Sequence, residues 1–507
     1  MQKLLLAHAD IHTMNPAQPR AQAAVIEGDR FAFVGTQEGA LAYLAAAKYE
    51  RIDAEGCTVV PGFVDSHLHL LGYALSKRRL CLSDARCLDD ALRALREAPG
   101  MGWLRASGFN HEHWPERRLP TLAELDAACP HRPLVAVRAC GHIGVVNSAA
   151  LRLLGPDAPQ DGVLREEQLG LVNAHIPAPD LDTALAALRE AEPELFAQGI
   201  TSVHSDDLGG LAPESAGDFF RALAGGHLRL RYAAQARLGG LDSLRAFFAN
   251  GYHRLRGERF HVNAIKLMGD GSLGARTAWL SRPYADAPDQ RGIECTDAAT
   301  MRAMVAEAAR NGLPCAVHAI GDAAAETVLD AFALEGRGLR QAIVHAQIML
   351  PEQVVRCGQM GLVILAQPIF LKADAPIVRA RVGSLADSSY RWKQMLGGGA
   401  HVAFGTDCPV EPFDPMAGLY CAMSRRSTPQ SEAYLPEEGF TLDEAVYAYT
   451  AAGAYAEGEE ARKGRIQSGM AADFVVLSRR LCDEAPEALL ETTVAKTYLA
   501  GQCVHGA

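Results

Sequence analysis

Long apolar runs are missing from this sequence of 507 residues. No stretch approaches the roughly 20 consecutive apolar residues that cross a bilayer. The start, Met1-Gln2-Lys3-Leu4-Leu5-Leu6-Ala7-His8, holds too short an apolar run for a secretory signal. An excess of basic residues is missing too. Lys and Arg total 49 against 60 for Asp and Glu, a net charge of -11, which argues against general nucleic-acid binding and against an anionic membrane partner. The 12 cysteines include no Cys-x-x-Cys pair and no short even spacing. They read as reduced thiols of a cytoplasmic protein, most of them core-filling. There is no internal repeat and no low-complexity tract; Ala-rich helical stretches are the only bias. What remains, 49% hydrophobic and 21% charged residues, is ordinary for a soluble globular chain long enough for a large domain and a smaller one.

One stretch stands out against this background: Val59-Val60-Pro61-Gly62-Phe63-Val64-Asp65-Ser66-His67-Leu68-His69. The apolar, β-branched run from Val59 to Val64 reads as a strand covered on both faces. Pro61-Gly62 predicts a bend just before the end. In a strand, residues i and i+2 point to the same side, so His67 and His69 can aim two imidazoles at one point, which suits a divalent metal.

The spacing of apolar segments predicts eight buried strands, at about 58–67, 200–206, 229–237, 260–269, 314–319, 341–347, 361–367 and 401–407. Stretches with helical periodicity, such as 297–311 and 322–335, lie between several of them. Alternation of this kind means a parallel sheet, and eight such strands mean an α/β fold of the (β/α)8 TIM-barrel type. The long gap after the first strand predicts an insertion at about 75–195. It has helical pieces at Leu88–Glu97 and Thr183–Gln198, and a loop of Phe109-Asn110-His111-Glu112-His113-Trp114. Loops that follow barrel strands form the active face, so this insertion is expected to cover the site. Both chain ends read as short strands. Ala24–Ile26 and Phe31–Val34 flank a hairpin turn at Glu27-Gly28-Asp29-Arg30, and 472–477 and 495–499 look similar. Residues 1–60 and 465–507 are therefore expected to join into one small β-sandwich domain, with the barrel and its insertion spanning 61–464.

Polar residues at the C-terminal ends of the expected strands carry the chemistry. They are His67 and His69 on the first strand, Lys266 on the fourth, His318 on the fifth, His345 on the sixth and Asp407 on the eighth. A lone histidine in such a place is usually a satisfied core or loop residue. A set of two, one, one and one that closes on an aspartate is hard to produce without a metal.

These motifs give a resemblance that spans essentially the whole chain. Residues 61–69, Lys266-Leu267-Met268-Gly269-Asp270-Gly271-Ser272-Leu273-Gly274-Ala275-Arg276, His318-Ala319-Ile320-Gly321-Asp322, His345-Ala346-Gln347 and Gly405-Thr406-Asp407 resemble the amidohydrolase superfamily. Within it they resemble the YtcJ-like branch that includes N-substituted formamide deformylases. Asn147–Leu151 and Gly469–Phe474 also match. The resemblance implies two zinc ions: the more buried on His67 and His69, the second on His318 and His345, and Lys266 bridging them as an N-carboxylated lysine. An unmodified ammonium has no lone pair to offer a cation. Asp407 would touch the first ion and accept the proton of the activated water, and His142 would add a hydrogen bond to the reacting oxygen.

Gly269 and Val344 stand where the branch often has alanine and an acidic residue, and Cys140-Gly141-His142 stands where Asp-Gly-His is common. No ligand is lost by these departures, but the substrate is left open. Arg276, Trp114 and Asp270 are candidate substrate contacts. The expected activity is metal-dependent hydrolysis of a non-peptide C–N amide-type bond in a small molecule, such as an N-acyl or N-formyl amine. Decarboxylation or isomerisation on the same scaffold is the alternative reaction, and a non-catalytic metal-binding regulatory protein the alternative class. Neither a nucleic-acid nor a membrane partner is expected; a homo-oligomer is compatible with the sequence.

Overall fold

The computed structural model describes residues 3–45, 47–139, 143–156, 158–165, 168–482 and 485–506. Eight parallel strands pair in chain order: Phe63–Leu68, Ile200–Ser205, Arg231–Arg237, Phe260–Met268, Cys315–Ala319, Ala342–His345, Val363–Ala366 and His401–Phe404. Helices such as Ala298–Arg310, Asp322–Glu335 and Pro351–Gln359 separate the later strands. Because helices cover such a sheet, its strands read as continuous apolar runs, and Ile343, Val344, Ile364 and Leu365 are all buried.

The first and eighth strands meet at their C-terminal ends. The amide of Asp407 donates to His67 O at 2.8 Å, and that of His69 to Cys408 O at 2.7 Å. A Cβ on Gly405 would lie 2.6 Å from His67 N and 2.8 Å from Asp65 Oδ1, so only glycine fits where the backbones close. The buried Asp65 carboxylate ties the join by accepting from Thr406 N at 3.0 Å, Thr406 Oγ1 at 2.5 Å and His67 N at 3.3 Å. Burial pushes this carboxyl up to about 7 despite those hydrogen bonds.

The single strand expected at 58–67 is two strands in two sheets. Thr58–Pro61 belongs to a six-stranded sheet, and only Phe63–Leu68 enters the barrel. The break falls at Gly62, where a Cβ would lie 2.2 Å from Thr201 Oγ1. The six-stranded sheet joins the chain ends: Thr58–Pro61 pairs with Asp10–His12 on one side and with Phe474–Leu477 on the other. A four-stranded sheet carries the expected hairpin, Ala23–Glu27 with Arg30–Gly35, turning at Gly28 with φ 66°. Leu4, Ile26, Val59, Phe474 and Tyr498 from the two sheets share one core. Phe474 and Tyr498 stack there with ring centroids 4.5 Å apart.

The chain divides into two compact units, Met1–Leu70 with Leu188–Ala507, and Leu71–Ala187. The barrel and both chain ends fall in the first. The second is the insertion, and it holds a five-stranded sheet that the sequence pattern did not reveal, ordered Val163–Arg165, Ile143–Val146, Leu134–Arg138, Leu104–Phe109, Leu80–Cys81. Its strands are too short to show a clear period of two. Helices Leu88–Glu97 and Leu122–Ala128 bury Leu88, Leu95 and Leu125 against Leu104, Ala106 and Leu134.

Of the described cysteines, Cys129, Cys315, Cys357, Cys408 and Cys421 are buried, while Cys81, Cys295 and Cys482 are exposed and the others part-buried. Cys503 packs against the core shared by the two end sheets, so six of the eleven described cysteines fill core, and all eleven are free. Among the described residues, no helix is long and apolar enough to cross a membrane.

Candidate metal centre

Five C-terminal strand ends bring six groups together. His67 Nε2, His345 Nε2 and an Asp407 carboxylate oxygen belong to a buried group whose donor atoms lie within 4.8 Å of one another. His69 joins through Nε2, 3.1 Å from Asp407 Oδ1, and His318 through Nδ1, 3.0 Å from His345 Nε2. Lys266 Nζ is 3.4 Å from His67 Nε2. The sequence-derived set of His67, His69, Lys266, His318, His345 and Asp407 is therefore one cluster.

The far side of each imidazole is as informative. His67 Nδ1 is 2.7 Å from Gln235 Oε1, His345 Nδ1 is 2.7 Å from Gln367 Oε1, and His69 Nδ1 is 3.1 Å from Asp206 O. His318 is reversed: its Nε2 lies 2.9 Å from Gly271 O, so its Nδ1 faces inward. An oxygen acceptor on the outer nitrogen holds a proton there and leaves the inner nitrogen's lone pair free. The inner nitrogens of all four rings thus face one place.

Electrostatics keep His67 and His345 neutral but favour a proton on His69, which a metal would displace. Burial, then the nearby Lys266 and histidine charges, hold His67 well below the usual histidine range. Burial, then His318 and Lys266, do the same to His345. Burial also lowers His69, but the hydrogen bond and charge of Asp407 outweigh it and raise that ring to about 9. Burial brings Lys266 down to about 8, against the pull of Asp206 and Asp407. Asp407 Oδ1 is buried and has no hydrogen-bond partner beyond its approach to the His67 and His69 rings, at 3.5 and 3.1 Å. Inward-facing lone pairs and an orphaned carboxylate oxygen are what a divalent cation satisfies, so these residues fit one.

Two of the donors sit on unusual backbone. His345 has φ 73° and Asp407 φ 58°, the left-handed region that costs a non-glycine residue about 1–3 kcal/mol and persists where the surroundings fix it.

The other candidate site residues have different places. Asp270 is fully buried, and its carboxylate accepts from the amides of Trp279, Ile320 and Gly321 at 2.9, 3.0 and 2.7 Å. Those bonds shape the segment after the fourth strand, and Asp270 Oδ1 also lies 3.3 Å from His318 Nε2, on the outer side of that ring. Trp114 is 2% exposed within the core of the insertion and donates its indole N–H to Ala85 O at 2.9 Å. It is a packing residue. Arg276 forms a two-pronged pair with Asp286 at 3.0 and 2.9 Å. His142 lies outside the described residues.

Sequence reasoning missed the outer partners Gln235, Gln367 and Asp206. The signal available was weak: a polar residue at the end of an apolar strand, as in Ala233-Ala234-Gln235 and Leu365-Ala366-Gln367. Asp206 is notable because neither carboxylate oxygen has a hydrogen-bond partner although the residue is 5% exposed.

Such a donor set at the mouth of a parallel barrel suits a divalent metal ion. The chain belongs to the amidohydrolase family, whose model matches residues 50–505. YtcJ of Bacillus subtilis (strain 168) is 31% identical, with 98% of each chain covered. The N-substituted formamide deformylase of Arthrobacter pascens is 27% identical over 99% of this chain and 98% of its own. The crystal structure of an uncharacterized metal-dependent hydrolase from Pyrococcus furiosus superposes with a TM-score of 0.80 at 27% identity, covering 93% of this chain and 98% of that one.

Proposed function

We propose that this amidohydrolase cleaves a non-peptide C–N amide-type bond in a small molecule, an N-formyl or N-acyl amine, releasing amine and acid. The observation that carries this reading is the common orientation of the four rings. Each outer nitrogen is held by an oxygen acceptor, while inner nitrogens of His67 and His69 approach Asp407, that of His67 also Lys266, and those of His318 and His345 each other. The relative that is a formamide deformylase supports the substrate class.

The residues that would hold zinc, in the two-ion centre we assign, are His67, His69, Lys266, His318, His345 and Asp407. When bound, such ions supply Lewis acidity and lower the pKa of water toward neutrality. The chain's own residues do the rest. Lys266 is buried and its amine is brought down to about 8, which leaves part of it unprotonated near neutral pH. The lone pair of that neutral amine can bond to the carbon of CO2 as one N–H proton leaves to water, giving a planar carbamate anion with two oxygen donors. Asp407 Oδ1, free of other hydrogen bonds, accepts the proton of the attacking water and passes it to the departing nitrogen. Gln235 and Gln367 keep His67 and His345 in the ligand tautomer throughout.

The test is a panel of N-formyl amines, N-acyl amines and cyclic amides offered to zinc-loaded protein, with amine and acid measured separately. Stoichiometric amine and acid support hydrolysis. Release of CO2, or no turnover of any amide with fully loaded metal, contradicts it.

A further inference from the structure

We propose that the insertion carries a second ligand site, a cavity that takes a small organic anion with its carboxylate or phosphate head on Arg79 and Arg105. The proposal is independent of the metal centre.

The sequence sets up the pair. Leu104 and Ala106, on the strand Leu104–Phe109, pack into the insertion core with Leu125 and Leu134. Alternation along a strand then sends Arg105 to the opposite face of the sheet. Arg79 directly precedes the edge strand Leu80–Cys81, which pairs with the same strand. Both arginines line a cavity of about 600 Å³ whose apolar wall includes Leu75, Trp103 and Ile176. That size is in the range of small-molecule sites, roughly 300–1,000 Å³.

Among the described residues that line this cavity there is no aspartate or glutamate, and two of its arginines, Arg79 and Arg105, face it without a carboxylate partner. Arg132 is occupied by the carbonyls of Ala98, Pro99 and Gly100, at 2.7, 2.9 and 2.6 Å. Among the described residues, no carboxylate pairs with Arg79 or Arg105, and Arg79 Nε is buried without any hydrogen-bond partner. Burial and then the charge of Arg79 bring Arg105 down to about 10, and burial lowers Arg79 as well. Both stay charged at neutral pH, so two half-buried cations repel each other beside a cavity. Guanidinium forks match carboxylate and phosphate oxygens two at a time, and an oxyanion would remove both the repulsion and the orphaned donor. Trp103, Leu75 and Ile176 favour an organic body over a bare ion.

Isothermal titration of the metal-loaded full chain tests this, with benzoate, phenyl phosphate, inorganic phosphate and benzyl alcohol as probes. The expected result is saturable binding of benzoate or phenyl phosphate, one per chain, and no binding of benzyl alcohol. Benzoate alone identifies a carboxylate ligand and phenyl phosphate alone a phosphate ligand; inorganic phosphate binds more weakly than either. Arg105→Met and Arg79→Gln should each weaken the bound anion about tenfold or more, the loss of one charge-assisted fork. Arg79→Lys keeps the charge, loses the fork and should fall between. Without ligand, the melting temperatures of Arg105→Met and Arg79→Gln should match or exceed the wild type, because an uncompensated buried cation has been removed. A merely structural arginine would give a lower melting temperature. The proposal is overturned if neither anion saturates by about 10 mM, a negligible affinity. It is also overturned if benzyl alcohol binds as well as the anions, or if both neutral variants bind with unchanged affinity.

Discussion

Two buried polar clusters lie in the barrel unit, and they are built on opposite rules. In one, Glu457 Oε1 is 2.5 Å from Lys463 Nζ and 3.4 Å from His204 Nε2, with His261 Nε2 at 3.6 Å from Oε2. Lys463 also bonds Ser202 Oγ. A carboxylate meets an ammonium directly, so each buried charge has its opposite. Burial opposes the Glu457 charge, but Lys463 and the two histidines outweigh it and hold that carboxyl far below its usual range. In the other cluster, four imidazoles and a buried lysine converge, and the one carboxylate keeps an oxygen without a hydrogen-bond partner. In the first cluster the charges are matched within the protein, which reads as structure, although His204, His261 Nε2 and Glu457 Oε1 also lack well-formed hydrogen bonds. A cluster of like donors is complete only with an ion, and reads as function.

Substitutions sharpen that contrast, taken here from the largest expected effect. Asp407→Asn should retain most of the metal yet lose about 10²–10⁴-fold in kcat, since an amide cannot accept the proton. Near wild-type turnover in that variant would remove Asp407 from the chemistry. Glu457→Gln should do the reverse. It strands Lys463 in the interior, lowering stability by about 3–5 kcal/mol in denaturant unfolding, while metal content per folded chain stays unchanged. Metal loss from a folded Glu457→Gln protein would erase the distinction between the clusters.

Smaller effects come from the outer partners and from pH. Gln235→Leu or Gln367→Leu frees one ring of its acceptor and should weaken metal binding about 10–100-fold, read by competition with a chromophoric chelator. The pH effect follows from His69, raised to about 9 in the metal-free protein. Below that value the ring is protonated and a metal must displace the proton. Apparent affinity should therefore rise with pH up to about 9 and level off above it, with proton release on binding. An affinity flat between pH 7 and pH 9 would contradict the His69 assignment. The Glu457 pair is also weakened by acid, but in a lower pH window. Its carboxyl is depressed, so its stabilisation is complete above the ordinary glutamate range, about 4.3, and is lost as pH falls below it.

The donors were readable in the sequence because each is local. His67-Leu68-His69 follows from the period of a strand, and His318, His345 and Asp407 each stand directly at or after a short apolar run. The barrel was readable for the same reason, with strands such as Cys315–Ala319 and His401–Phe404 bounded by helical patterns. Long-range partners were not. Gln235 lies 168 positions from the ring it orients, and no local pattern marks that contact. The surroundings of Asp270 and Trp114 were not readable either, because the hydrogen bonds of a polar or aromatic residue beside a motif are tertiary facts. Asp270 accepts from three backbone amides, and Trp114 donates to Ala85 O. The strand break at Gly62 was half visible: Pro61-Gly62 signalled a bend, but the clash with Thr201 that moves the chain from one sheet to the next is a tertiary fact.

The most direct test is metal stoichiometry. Chelator-treated wild type, His67→Ala and Glu457→Gln would be dialysed together against zinc, and bound metal measured per folded chain alongside amide hydrolysis. The account predicts that wild type and Glu457→Gln take up zinc to the same level, while His67→Ala loses metal and activity together. Full zinc occupancy in folded His67→Ala, or a wild type that binds none, would contradict it.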